Sequence, residues 1–149
     1  MIRGIHHTSR TVSDMERALA FYGDRLGMPV VLDTEMRGPM LEREVAMPGA
    51  HLRFVLLEAG GPTRLELLQY YTPTGVPLAA DAKPADTGAH HIALLVDDIH
   101  ATHVELTDAG VEFTWPPQQV DAGVFEGHWT AYCHDPDGLI VELWQLPAG

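Results

Sequence analysis

Leu65-Glu66-Leu67-Leu68-Gln69 and Val141-Glu142-Leu143-Trp144-Gln145 are the same phrase written twice, x-Glu-Leu-x-Gln, in a chain of 149 residues. Working outward, each phrase closes a half-chain that opens on a histidine pair, His6-His7 or His90-His91. His7 precedes Val12 by five residues and His91 precedes Val96 by five, and both valines lead into acidic residues, Ser13-Asp14 and Asp97-Asp98. An apolar-periodic stretch then runs to Gly27 in one half and to Gly110 in the other. Such self-similarity marks two copies of one supersecondary unit, each unable to complete a core alone.

Period and punctuation give each copy the order βαβββ. In the first, residues 5–12 read as a strand, and Ser13 with Glu16 forms a capping box that starts a helix with Met15, Ala18, Leu19, Tyr22 and Leu26 on one stripe. Gly27 stops it, and Val30–Leu32, residues 42–47, His51–Leu57 and Leu65–Tyr70 read as strands. The second copy gives a strand at 90–96, a helix from Asp98 to Ala109 and strands near 111–115, 128–133 and 139–145, the last two joined by the turn Asp135-Pro136-Asp137-Gly138. The expected class is α+β: two tandem βαβββ modules, 1–71 and 89–149, within one 149-residue domain, joined by a linker over 72–88 that is rich in Pro, Ala, Gly and Asp.

Bulk composition narrows the functions. A chain with 21 acidic against 9 basic residues, net charge −12 and one lysine, Lys83, lacks the clustered bases that nucleic acid or an anionic membrane surface would need. No apolar run approaches the ~18 to 20 residues of a membrane span, and the N-terminus lacks a basic-then-apolar leader, so a cytoplasmic location is expected. Cys133 is the single cysteine, which excludes an intrachain disulfide and a thiolate cluster; it reads as a small buried filler.

Against this background the two glutamates stand out. Glu66 lies between Leu65 and Leu67, and Glu142 between Val141 and Leu143. A carboxylate turned into a sheet interior costs several kcal/mol unless it is paired, hydrogen-bonded or bound to a cation. His7 and His91 stand at equivalent points of the repeat, so His7, Glu66, His91 and Glu142 form a mixed N/O set for one divalent ion: Zn, Ni, Co, Mn or Fe(II). His6 and His90 should face the other way, His100 and His103 should be solvated on the second helix, and His51, His128 and His134 lie on or near strands. Trp115, Trp129 and Trp144 read as core or pocket-wall residues.

The run from Ile5-His6-His7 through Asp14-Met15-Glu16-Arg17-Ala18-Leu19-Ala20-Phe21-Tyr22 to Leu26-Gly27-Met28 resembles the opening of the glyoxalase, bleomycin-resistance and extradiol-dioxygenase superfamily, the vicinal oxygen chelate proteins. Leu65-Glu66-Leu67, His90-His91-Ile92-Ala93-Leu94, Val96-Asp97-Asp98 and Asp135-Pro136-Asp137-Gly138 before Glu142 are similar to its other landmarks. The resemblance implies a curled mixed sheet around the metal, with His7, Glu66, His91 and Glu142 as ligands, and usually a homodimer. It implies a lyase or isomerase of the glyoxalase or epimerase kind, stabilising an enediolate or enolate of a small carbonyl substrate. Glu142 is then the preferred proton-transfer base, Glu66 a second carboxylate and His51 a helper. The acidity of the chain favours a small neutral or weakly charged substrate over glutathione or a coenzyme A thioester. Two alternatives stand beside this reading. An Fe(II) extradiol-type dioxygenase would use His7, His91 and Glu142, with Tyr132, His128 and His134 around them, and a drug-binding resistance protein would have no chemistry.

Overall fold

The computed structural model describes residues 1–77, 79 and 82–147 and divides the chain into two compact units, Met1–Pro77 and Leu78–Gly149. The division falls inside the 72–88 stretch; Leu78, Ala80 and Asp81 of that stretch lie outside the described residues.

The first unit runs β1 (His7–Thr11), α1 (Met15–Leu19), β2 (Val30–Arg37), α2 (Pro39–Glu44), β3 (His51–Glu58) and β4 (Arg64–Thr72). Its sheet has the order β1-β4-β3-β2, with β1 parallel to β4 and the other pairs antiparallel. The second unit runs β5 (His91–Leu95), α3 (Ile99–Asp108), β6 (Gln118–Gln119), β7 (Trp129–His134) and β8 (Ile140–Gln145), in the order β5-β8-β7-β6 with the same directions. Each unit is therefore a βαβββ module with a four-stranded mixed sheet.

Strand alternation sorts every module into two faces. Val55, Leu57, Leu65 and Leu67 are buried with Met15, Ala18, Phe21 and Tyr22; Ala131, Cys133, Val141 and Leu143 are buried in the other unit, as are Ile99 and Leu106 of α3. Burying side chains of this size contributes roughly 1.5 to 3 kcal/mol each. The even-numbered positions of β4 and β8, Glu66 and Glu142 among them, point to the face away from the helix.

Several local expectations are corrected. The N-cap of α1 is Asp14, whose Oδ1 accepts from the Arg17 amide at 3.0 Å, so Ser13 and Glu16 make no capping box. Glu16 instead meets Arg53 at 2.6 Å. After Leu19 the helix widens into a π segment, Ala20–Arg25, whose Leu26 amide reaches back to the Phe21 carbonyl. This looser turn buries the adjacent Phe21 and Tyr22 together, where a 3.6-residue stripe would bury one of them. Residues 42–47 are not a strand. Gly38-Pro39 starts α2 there, with proline in the first turn, and Leu41 packs with Ala50 and Leu52. The strand expected at 111–115 is reduced to a single bridge, Phe113 with Cys133, and the fourth strand is β6. Trp115 is exposed rather than core.

Candidate metal centre

Each module places one histidine and one glutamate on the face away from its helix, at neighbouring strand ends. In the first unit β1 lies against β4 with Ser9 opposite Glu66, and the His7 Nε2 comes 3.7 Å from Glu66 Oε2. In the second, Ala93 lies opposite Glu142 and the His91 Nε2 comes 3.1 Å from Glu142 Oε2. The imidazoles are open to solvent while the carboxylates are not: side-chain exposure is 43% and 47% for His7 and His91, against 13% and 7% for Glu66 and Glu142. A carboxylate so covered needs a partner of opposite charge or a set of donors. His6 is exposed and meets His7 through their Nδ1 atoms at 2.8 Å, which leaves the Nε2 of His7 toward Glu66.

These separations fit donors to one ion. Two atoms bound at ~2.1 Å lie about 3.0 Å apart at a right angle and about 3.4 Å apart at a tetrahedral angle. The second pair matches the tighter value and the first is slightly wider than the looser one. Each pair could hold an ion by two donor atoms. Among the described residues, no group of three or more His, Cys, Asp or Glu side chains is gathered around one point.

The surroundings of the two carboxylates differ. Opposite Glu142 on β7 stands Tyr132, with Thr130 one step along the same face. The Thr130 hydroxyl donates to Glu142 Oε1 at 2.7 Å, leaving Oε2 to face His91. Tyr132 stacks edge-on with His91 at 5.6 Å. Burial, then the nearby Glu142 carboxylate, hold the Tyr132 phenol above its ordinary pKa, so it remains a donor. Opposite Glu66 stand Leu56 and, one step along, Phe54 opposite Leu68; neither side chain can donate. Tyr70, two residues beyond Glu66, is likewise raised, first by burial and then by the charges of Glu66 and Glu44.

The connectors before β3 and β7 cover what lies beyond each glutamate. In the first unit α2 brings Leu41 onto a cluster with Ala50 and Leu52, against which Phe54, Leu68 and Tyr70 pack. In the second the loop before β7 brings Phe125 to 5.3 Å from Trp144, with His128 5.5 Å from the same indole and its Nδ1 at 2.8 Å from the Phe125 carbonyl. Trp144 thus lines the face that carries Glu142, whereas Trp129 turns to α3 and meets His100 at 4.5 Å.

His51 is not brought to Glu66. Its Nε2 pairs with Glu35 at 2.9 Å, beside Arg53, which binds Asp33 through two nitrogens and reaches Glu16 of α1. That cluster is on the helix face, and His51 is five residues along β3 from Leu56, roughly 17 Å at ~3.3 Å per residue. His100 is exposed as expected, but His103 is half-buried against Phe113 at 4.4 Å. Cys133 is buried, and its thiol is pushed up to about 12 by burial and by Asp135, which suits an inert filler.

Thr130 escaped sequence reasoning although a signal for it existed. Asp135 Oδ1 accepts from the amides of Asp137 and Leu139, both at 2.9 Å, and fixes the turn before β8. That turn sets His134 opposite Ile140, and counting back by strand pairs reaches Tyr132 opposite Glu142 and Thr130 opposite Trp144.

Comparison with known proteins agrees with the fold. A profile described as the Glyoxalase/Bleomycin resistance protein/Dioxygenase superfamily matches residues 4–143. A 2-epi-5-epi-valiolone epimerase from Actinomyces is 30% identical over 97% of this chain and 80% of its own length. A lactoylglutathione lyase from Haemophilus influenzae is 29% identical over 93% of this chain and 90% of its own. Among solved structures, a glyoxalase family protein from Bacillus cereus superposes with a TM-score of 0.85 at 18% identity, covering 99% of this chain and 96% of that one.

Proposed function

This chain belongs to the Glyoxalase/Bleomycin resistance protein/Dioxygenase superfamily, and from that premise we propose that it is a divalent-metal-dependent lyase or isomerase. Within that class the reading favours an epimerase that moves a proton on the carbon beside the carbonyl of a small, weakly charged substrate. The observation that carries the proposal is the duplicated pair: an exposed imidazole facing a covered carboxylate at equivalent points of two modules. His7, Glu66, His91 and Glu142 would hold the ion. When bound, such an ion supplies a Lewis acid that stabilises negative charge developing on a carbonyl oxygen.

The protein's own residues do the rest. Glu142 is the base that takes the proton from the activated carbon, and Glu66 is the second carboxylate, which would deliver a proton in an epimerisation. An epimerisation needs that pairing, since the proton leaves one face and returns to the opposite one. The net charge of −12 disfavours polyanionic substrates, and the relative at 30% identity is named for an epimerase, which directs the choice toward a small neutral carbonyl compound. The enzyme is expected to work as a homodimer in the cytoplasm. No helix among the described residues is long and apolar enough to cross a membrane.

The dioxygenase alternative would use His7, His91 and Glu142 and leave Glu66 idle. The covered position of Glu66 facing His7 speaks against it.

The test is proton exchange. Metal-stripped protein is reloaded with Zn²⁺ or Co²⁺ and incubated in D2O with a panel of small hydroxyketones, 2-epi-5-epi-valiolone included, while proton NMR follows loss of the signal beside the carbonyl. Exchange that needs the added metal, and that slows by about 10² to 10⁴ in Glu142→Gln, is the expected result. Turnover by Glu142→Gln equal to wild type would overturn the assignment of the base, and oxygen-dependent ring cleavage would replace the reaction class.

A further inference from the structure

We propose that Thr130 and Tyr132 are positioning residues that fix Glu142 as a one-oxygen ligand, and that this makes the two carboxylates of the duplicated centre unequal. The inference rests on the metal reading above but goes beyond it, because the duplicated sequence by itself treats Glu66 and Glu142 alike.

The argument begins at the oxygens of Glu142. Oε1 is occupied by the Thr130 hydroxyl at 2.7 Å, and Oε2 faces His91 Nε2 at 3.1 Å. Tyr132 stands directly across the strand pair from Glu142 and stacks edge-on with the His91 ring at 5.6 Å, so it is placed beside both members of the pair. A carboxylate with one oxygen committed to a donor cannot swing to bind an ion through both, and its remaining oxygen is aimed beside the histidine. Thr130 is well suited to the task. It is half-buried on β7, and as a β-branched residue it has a stiff first side-chain torsion. At the corresponding places in the first module stand Phe54 and Leu56, which offer no donor, so Glu66 lacks the cross-strand hydroxyl that holds Glu142 and faces His7 at the longer distance of 3.7 Å. Glu142 is thereby the fixed ligand and Glu66 the adjustable one.

The experiment uses the full chain and Co²⁺ alone as probe, titrated with visible absorption so that affinity and coordination geometry are read together. Thr130→Val removes the hydroxyl at nearly constant shape and Tyr132→Phe removes the phenol; each should weaken Co²⁺ binding about 10-fold to 100-fold and alter the absorption bands. Thr130→Ser, which keeps the donor, should bind Co²⁺ as wild type does. Thr130→Val and Tyr132→Phe with wild-type affinity and spectrum would overturn the inference. Circular dichroism checks each fold; if Thr130→Val does not fold, Tyr132→Phe decides alone, since Tyr132 is on the surface. Glu142→Gln and His91→Ala run in parallel: Co²⁺ binding indifferent to both would sink the ligand assignment, whereas binding lost in both but untouched in Thr130→Val and Tyr132→Phe would sink this inference only.

Discussion

The two modules agree wherever a residue positions the helix and differ wherever a residue surrounds the carboxylate. Gln69 Oε1 accepts from the Met15 amide at 3.1 Å, and Gln145 Oε1 accepts from the Ile99 amide at 2.6 Å, so each last strand ties down the first residue of its own helix. Asp14 and Asp98 cap those helices in the same manner. Around the glutamates the likeness ends: Thr130 and Tyr132 in one module correspond to Phe54 and Leu56 in the other. The short helix α2 covers the strand beyond Glu66, while a loop carrying Phe125 covers that beyond Glu142. A duplicated scaffold can thus keep its frame and let its two half-sites diverge.

The comparison can be broken most directly at the carboxylates. Exchange of the substrate proton should fall by about 10² to 10⁴ in Glu142→Gln. Glu66→Gln, which retains a ligating oxygen, should weaken the metal by roughly 10-fold to 100-fold and spare more of the proton exchange. Equal losses in the two variants would abolish the asymmetry argued above.

The frame itself gives the next effect. Leu67 and Leu143 are both fully buried next to their glutamates, and replacing either by alanine should cost about 2 to 5 kcal/mol in denaturant unfolding, with similar values in the two modules. The helix anchors should give less: Gln69→Ala and Gln145→Ala each about 1 kcal/mol, and Asp14→Ala and Asp98→Ala about the same. A large difference between the members of either pair would show that the modules contribute unequally to folding.

The smallest effects are electrostatic. Hydrogen bonding from Arg53 holds the Asp33 carboxyl below its ordinary range. Its contribution to stability is present above the ordinary carboxylate value and is lost as pH falls through the depressed one. Asp33→Asn should therefore reduce the slope of stability against pH on the acid side and leave the slope near neutrality unchanged. The second module has its own marker in Cys133: a maleimide reagent at pH 8 should leave the folded protein unlabelled and react after unfolding, because burial raises the thiol to about 12.

Much of this architecture was legible because repetition is a strong signal. Both histidine–glutamate pairs and the helix ends at Gly27 and Gly110 follow from matching one half against the other. What was hidden is what repetition does not carry. α2 has no clear counterpart in the second half, and the apolar residues from Leu41 to Met47 imitate a strand although Pro39 opens a helix. β6 has two glutamines and no apolar alternation; only pairing to Trp129 and Thr130 makes it a strand. Ser13 and Asp14 can both cap a helix, and the choice falls to the Ser13 carbonyl, which accepts from Gln69 Nε2 at 3.1 Å. His51 as a helper rested on residue type alone: Glu66 pairs with Leu56, so a period-two count along β3 already puts His51 on the opposite face, where it meets Glu35.

The placement of Gln69 and Gln145 has a practical side. Each sits three residues from its glutamate on the same strand, so the strand's odd positions address the scaffold and its even positions address the chemistry. Scaffold and reactivity are thereby written on separate tracks of one segment. A protein engineer who wished to retune the centre could rewrite the even track, at Glu66 and Leu68 or at Glu142 and Trp144, and leave every helix tether in place.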